Sequence, residues 1–340
     1  MKTKKGFYFT IIVLFCLILL LLISFQVKRE YASEGIKTRI LTINNFIKSM
    51  ERDASRAVYI SSYRTMVAAL NYVTAKHEYL NGTANGHEIT LNGVFADALF
   101  NGSLIYSLNY PEAKDLLANA SLKDWQERTA LLASATNLDL NFSKMAPENL
   151  TVTQSDPWNV IISIPIEYNI SDSVSGVTWH RSTKINATLP LTNTFEDPLY
   201  VIEFGSACGN KIINGDNLKP LVGGPPSCDT TNLTVFLDTP GTGSRYIHSI
   251  HSPSYLNRLT GNFSCLRDRL CTTDPNGIES MINILDLGAC GMTINPESTI
   301  VDFRYDYRTA DSRIKGAESW VYLDKNLDFP YYNISSGCAL

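Results

Sequence analysis

The chain has 340 residues, 44% of them hydrophobic and 18% charged, with a net charge of −4 at neutral pH. That composition supports a folded core, and the excess of acid excludes the basic footprint of a nucleic-acid binder. The length accommodates one large or two small domains behind a terminal helix.

Residues 7–25, FYFTIIVLFCLILLLLISF, carry no charge and consist mostly of Leu, Ile, Val and Phe. At 1.5 Å per residue the stretch spans roughly 28 Å, about the hydrocarbon thickness of a bilayer. It predicts an N-terminal transmembrane helix within residues 1–26, with the lipid bilayer as its partner. A cleaved secretory signal would have a shorter apolar run and a small-x-small cleavage site, which Ser24-Phe25-Gln26 matches poorly.

From Ala32 the pattern becomes amphipathic. Ile36, Ile40, Ile43, Ile47, Met50, Ala54 and Ala57 recur at alternating spacings of four and three, a heptad seam. It predicts a helical stalk over 27–80, helical to about His77, with a hinge at Ser33-Glu34-Gly35 because glycine costs about 1 kcal/mol inside a helix. The 36–57 seam suits self-association, another surface protein or the chain's own body equally well.

Over 81–195 the sequence predicts helices first and strands after. Asn-Gly pairs at 81–82, 85–86, 92–93 and 101–102 mark turns. Ser121 is placed to cap a helix with Leu122, Trp125, Thr129 and Leu132 on one side. Residues 149–153, 158–170 and 176–189 are β-branched and aromatic, and in the middle run Ile162, Ile164, Ile166, Tyr168 and Ile170 alternate with polar residues. Pro165 cannot donate to a ladder, which predicts an edge strand or a bulge. Residues 196–340 are rich in Gly, Pro and Cys, with strands expected at 199–204, 233–237, 300–307 and 319–323 and a helix at 278–287. The fold class expected is α+β: a transmembrane helix continuing into a long amphipathic helix, then an extracellular body of helices and antiparallel strands.

Two features place that body outside the cytoplasm. Sequons begin at Asn81, Asn101, Asn119, Asn141, Asn149, Asn169, Asn186, Asn232, Asn262 and Asn333, about twice the number that composition alone predicts. Apart from Cys16, the cysteines are Cys208, Cys228, Cys265, Cys271, Cys290 and Cys338, an even set that reads as three disulfides. Zinc would want a close cysteine pair or paired histidines, which are missing. Neighbour pairing, 208–228, 265–271 and 290–338, is the simplest guess. The expected localisation is the cell membrane, single-pass, N-terminus cytoplasmic and body extracellular.

Signatures of catalysis or cofactor binding are lacking: no G-x-S-x-G, P-loop, H-E-x-x-H or G-x-G-x-x-G occurs. No catalytic, cofactor-binding or metal residue is therefore assigned. His248 and His251 would share a metal only on a helix. Cys208, within Gly205-Ser206-Ala207-Cys208-Gly209, reads as a disulfide partner before a nucleophile. Asp324-x-Asn326-x-Asp328 has the opening spacing of a calcium loop but lacks its glycine and its final glutamate. Asp302, Asp306, Asp311 and Asp324 are the carboxylates from which a glycosidase-like pair would be drawn.

Lys4-Lys5-Gly6 followed by Phe7 and an apolar helix resembles the N-terminus of archaeal type IV pilin-like proteins. The resemblance implies peptidase cleavage between Gly6 and Phe7 and packing of the apolar helix in a filament core. Further segments, ERDASRAVYISSYR (51–64), NGTANG (81–86), EDPLY (196–200) and SPSYLNRLTGN (252–262), are similar to uncharacterised archaeal membrane-anchored surface proteins, which implies a cell-surface context and no known activity. The function expected is a membrane-anchored extracellular glycoprotein with a structural or interaction role, pilin-like in its N-terminus. The alternative is a tethered hydrolase acting on glycan or peptide.

Overall fold

A computed structural model describes residues 4–145, 147–204, 211–216, 228, 245–263, 275–281, 283, 285, 288, 299–301, 312–326 and 328–340, without the side chains of 4–10, 27–35 and 203–204. The chain divides into two compact units, Met1–Ala54 and Ser55–Leu340.

Helix α1 runs from Lys4 to Lys76, 73 residues. The hinge expected at Ser33-Glu34-Gly35 is not there. One internal glycine costs about 1 kcal/mol, which the helix formers on both sides offset. The helix ends as the sequence predicts: His77 is left-handed, with φ 55°, and its N–H still donates to the Val73 carbonyl at 3.0 Å.

The expected transmembrane helix is corrected. Among the described residues, no helix is long and apolar enough to cross a membrane. The single-pass localisation in the cell membrane, on which the cytoplasmic N-terminus depended, falls with it.

The body is α+β. A small hairpin, β1 (Thr83–Ala84) and β2 (His87–Glu88), turns on Asn85 and Gly86, both at positive φ as a tight hairpin turn requires. Short helices follow: α2 (Leu91–Ala96), a π turn over Asp97–Asn101, α3 (Ile105–Leu108) and α4 (Lys114–Leu117). Helix α5 (Leu122–Ala135) begins at Ser121, whose hydroxyl accepts from the Asp124 N–H at 3.0 Å, the predicted cap. Leu122, Trp125 and Thr129 are buried as expected, but Leu132 is 65% exposed and Ala133 is buried in its place. A four-residue step keeps to the buried face where a three-residue step has begun to leave it.

Helix α5 packs on a four-stranded antiparallel sheet: β3 (Leu138–Lys144), β4 (Thr151–Asp156), β5 (Asn159–Asp172) and β6 (Thr178–Pro190). Trp125, Phe142 and Tyr168 form an aromatic chain with ring centroids 5.6 and 6.1 Å apart. The alternation from Ile162 to Ile170 is borne out, each apolar member being buried. The expected edge or bulge at Pro165 is not. β5 is the central strand, with β6 along one side, while β4 and β3 share the other. Pro165 falls between the last β4 partner, Ser163, and the first β3 partner, Glu167, where that edge has no ladder bond to lose.

Two expectations beyond residue 196 reverse. The strand expected at 199–204 is helix α6 (Pro198–Phe204). The Asp197 carboxylate accepts from the Leu199 N–H, and its carbonyl accepts from Tyr200 and Val201, so Asp197 caps a helix that opens on proline. The helix expected at 278–287 begins instead as a strand. β7 (Ile213–Asn214), β8 (Arg245–His248) and β9 (Ile278–Met281) form a sheet, parallel at β7·β8 and antiparallel at β8·β9. Helix α7 (Tyr255–Thr260) lies between β8 and β9 in sequence. The chain closes with the pair β10 (Ser312–Arg313) and β11 (Tyr322–Leu323) and helix α8 (Asp328–Tyr331). A second core here includes Leu199, Ile247, Met281, Leu323 and Phe329. The expected strand at 233–237 and most of that at 300–307 lie outside the described residues.

Cys228 and Cys338 form a disulfide, Cα atoms 5.4 Å apart and 110 residues apart in sequence. This replaces the neighbour pairings 208–228 and 290–338; Cys208, Cys265, Cys271 and Cys290 lie outside the described residues. Sequence proximity misleads here because the C-terminal segment is sewn to β10, Leu340 N–H donating to the Arg313 carbonyl and Lys315 N–H to that of Cys338. Cys338→Ser is expected to lower stability by about 2–5 kcal/mol. Urea titration with and without reductant checks this: without reductant the variant's midpoint should fall below the native one, and reductant should lower the native midpoint by more than the variant's.

Candidate functional site

The residues singled out for chemistry resolve into structure. Asp324 and Asp328 build one local turn. The Asp324 N–H donates to Asp328 Oδ2 and the Asn326 N–H to Asp324 Oδ1, each at 2.8 Å, and the Asp328 N–H returns to the Asp324 carbonyl. The calcium-like spacing therefore belongs to an Asx turn that starts α8. His248 ends strand β8, its Nε2 at 2.7 Å from the Pro275 carbonyl, and donates there. His251 lies in the following turn, edge-on to Tyr331, so the two histidines share no helix face. Asp302, Asp306 and Asp311 lie outside the described residues. Among the described residues no group of His, Cys, Asp or Glu is assembled to hold a metal ion.

Sequence reading missed a buried polar network around α7. Arg258 and Asp197 are both fully buried and paired at 2.9 Å. Arg258 Nε also donates to the Pro253 carbonyl at 3.3 Å and Nη2 to that of Ile278. Tyr246 donates to Asp197 at 2.8 Å and lies beneath the guanidinium. Nearby, the Tyr332 hydroxyl donates to Glu279, which also accepts from Ser252. Burial, reinforced by the neighbouring carboxylates, pushes the Tyr246, Tyr255 and Tyr332 phenols well above their ordinary range. These groups tie α6, α7, β8, β9 and α8 together. Sealed from solvent, Asp197 and Arg258 act as a brace. The only sequence signal was a charge inside the short apolar segment Tyr255–Thr260.

The surface that stands out is on α1. Thirteen large apolar side chains between Ile11 and Phe25 are exposed, from 42% at Leu19 to 71% at Phe25. Successive helical residues are rotated by about 100°, so a run this continuous is apolar on every side and not along one stripe. Cys16 lies within it as a free, exposed thiol. Gly6 and Phe7 lie in the first turns of the same helix. The predicted seam divides: Ile36 and Ile40 are exposed at 59% and 43%, whereas Ile43, Ile47, Met50 and Ala54 are buried.

The sequon asparagines face outward. Asn81, Asn101, Asn119, Asn141, Asn169, Asn186 and Asn262 are exposed, Asn149 and Asn333 half-buried, and Asn232 lies outside the described residues.

No match to this chain is found among protein families, curated proteins or solved structures.

Proposed function

We propose that this chain is a structural protein that assembles with copies of itself through the Ile11–Phe25 stretch, carrying an α+β body decorated with glycan at sequon asparagines. The observation that carries the reading is the band of thirteen exposed apolar residues on all sides of one helix. Soluble surfaces rarely expose contiguous patches of this kind unless they are covered by a partner. A helix apolar all round needs neighbours all round, so a bundle of several copies suits it better than a two-stranded coil, which covers one seam. Each Leu or Ile that becomes fully covered stabilises the assembly by about 1.5–3 kcal/mol. The pilin-like N-terminus supports the same arrangement, in which cleavage after Gly6 would leave Phe7 leading the apolar helix.

Cys16 provides the test. Mild oxidation of the full chain is expected to give covalent dimers that disappear in Cys16→Ser, with larger species in sedimentation that dissociate in Leu14→Asp/Leu21→Asp. A chain that stays monomeric and uncrosslinked, or that floats with lipid vesicles as a monomer, would overturn self-assembly. Mass spectrometry of the native N-terminus decides the pilin-like part: Phe7 as first residue supports it, and an intact Met1 removes it.

A further inference from the structure

Three sequons occur on the paired strands β3, β5 and β6: Asn141-Phe142-Ser143, Asn169-Ile170-Ser171 and Asn186-Ala187-Thr188. Side chains two apart on a regular strand share a face, so at Asn169 and Asn186 the amide and the sequon hydroxyl point the same way, whereas at Asn141 a register shift at Ser143 interrupts the alternation. The register puts all three on one face of the sheet. Asn141 is directly opposite Asn169, and Asn186 opposite Ser163. The intervening Phe142, Ile170 and Ala187 face the other way; Ile170 and Ala187 are buried, and Phe142 packs on Trp125. The outward face also carries Thr178, Ser182, Lys184 and Thr188, all exposed.

The amides themselves differ in how they are held. The Asn169 oxygen accepts from His180 Nδ1 at 2.9 Å, and the Asn186 oxygen accepts from the Ser163 hydroxyl at 2.7 Å. In both, the contact fixes the carbonyl end and leaves the Nδ2 end, the atom a glycan would join, directed away from it. Asn101 is the reverse: its Nδ2 donates to the buried Asp97 carboxylate at 3.1 Å. That carboxylate also gathers the Ser103 hydroxyl and both the N–H and the hydroxyl of Ser107.

We propose that the outward face of the β3–β6 sheet is a glycan-bearing face. Asn186 and one of Asn141 and Asn169, never both in the same molecule, are the acceptors, while Asn101, though exposed, is not one. The inference rests on reading the sequons as glycan acceptors and is independent of the self-assembly of α1. The reaction is transfer from a diphosphate-activated oligosaccharide. The asparagine Nδ2 bonds to the anomeric carbon, the bond from that carbon to the diphosphate oxygen breaks, the amide gives up one proton, and the diphosphate leaves. Directly opposed residues have Cβ atoms roughly 4.5–5.5 Å apart, so the first bulky glycan covers its neighbour's amide. At Asn101 the acceptor nitrogen would first have to abandon the Asp97 carboxylate.

Glycopeptide mass spectrometry on protein from its native cells tests this. An Asn149→Gln chain cleaved only after arginine releases residues 129–181, which contain both Asn141 and Asn169. The expected fragment carries one glycan and never two; fragmentation that assigns each glycan to a single asparagine should find one on Asn186, counted apart from Asn232 in the same 182–245 fragment, and none on Asn101, counted apart from Asn81 and Asn119 in the same 65–128 fragment. In Asn169→Gln, occupancy of Asn141 should rise several-fold. Bare peptides at all three positions would overturn the glycan-bearing face. A doubly modified 129–181 fragment would overturn the exclusion, and glycan on Asn101 would overturn the argument from amide orientation. None of these readouts depends on the crosslinking of Cys16, so the two ideas fail separately.

Discussion

Gly277→Ala is expected to prevent the segment from β8 through β9 from forming its native packing. A Cβ at 277 would fall well inside van der Waals contact of the Ser249 and Ser252 carbonyl oxygens, both backbone atoms. Neither can step aside, because the same turn is held by the β9 approach. The Ser249 N–H donates to the Gly277 carbonyl, the Ile278 N–H to that of Pro253, and the Ser252 N–H to that of Ser249. Relief therefore requires parting strand β9 from the turn that follows β8. Overpacking against movable side chains typically costs about 1–3 kcal/mol; against fixed backbone we expect about 3 kcal/mol or more, a large share of the stability of an ordinary domain. Urea unfolding followed by near-ultraviolet circular dichroism measures it. Gly261→Ala is the milder comparison: its added Cβ meets the Tyr79 ring at 2.7 Å, a side chain that can turn, although φ of +69° adds backbone strain. A Gly277→Ala midpoint equal to that of the native chain would show that the close approach is not a constraint.

Arg258→Met is expected to cost about 3–5 kcal/mol, because it leaves the Asp197 carboxylate buried without its counter-charge. The carboxylate retains the Leu199 N–H and the Tyr246 hydroxyl, which are neutral donors. The Ile278 carbonyl loses its guanidinium donor at the same time, as does that of Pro253, which keeps only the Ile278 N–H. Arg258→Lys keeps the charge but not the planar fork that reaches three acceptors, so it should fall between the two. Equilibrium denaturation of the three chains gives the ranking. A loss below about 1 kcal/mol for Arg258→Met would mean that the pair is no brace. Since a buried ion pair is weak evidence for net stabilisation, the expected loss reports the cost of orphaning Asp197 and not the worth of the pair.

Neither Gly277 nor Arg258 could be found from the sequence, and the reason is the same for both. What makes them critical is non-local: Gly277 matters because a turn some twenty-five residues earlier presses on it, and Arg258 because Asp197, sixty-one residues away, waits in the same buried space. Periodicity sees neither. It also cannot distinguish helix from strand in a short apolar run. Leu199 to Ile202 are all buried, so they show no alternation and no stripe, and the Asp197 cap decided the matter. At Ile278–Met281, pairing with β8 decided it the other way.

The candidate assembly surface was legible as a continuous apolar run, although the span first assigned to it was wrong. Length measured along the sequence does not say what covers a helix.

What the sequence by itself determined is local. It set the extent of α1 near His77, the Ser121 cap, the three long strands over 149–190, and the core face from Ile162 to Ile170. Each follows from backbone preferences and from a period of 3.6 or 2, physics confined to neighbouring residues. Tertiary structure alone decided which cysteine meets Cys228, why β5 can hold Pro165 at the centre of a sheet, and that Asn141 and Asn169 stand side by side while the Asn101 amide is occupied. Those outcomes depend on which distant segments share a space, and burial free energy, unlike periodicity, is summed over the whole chain.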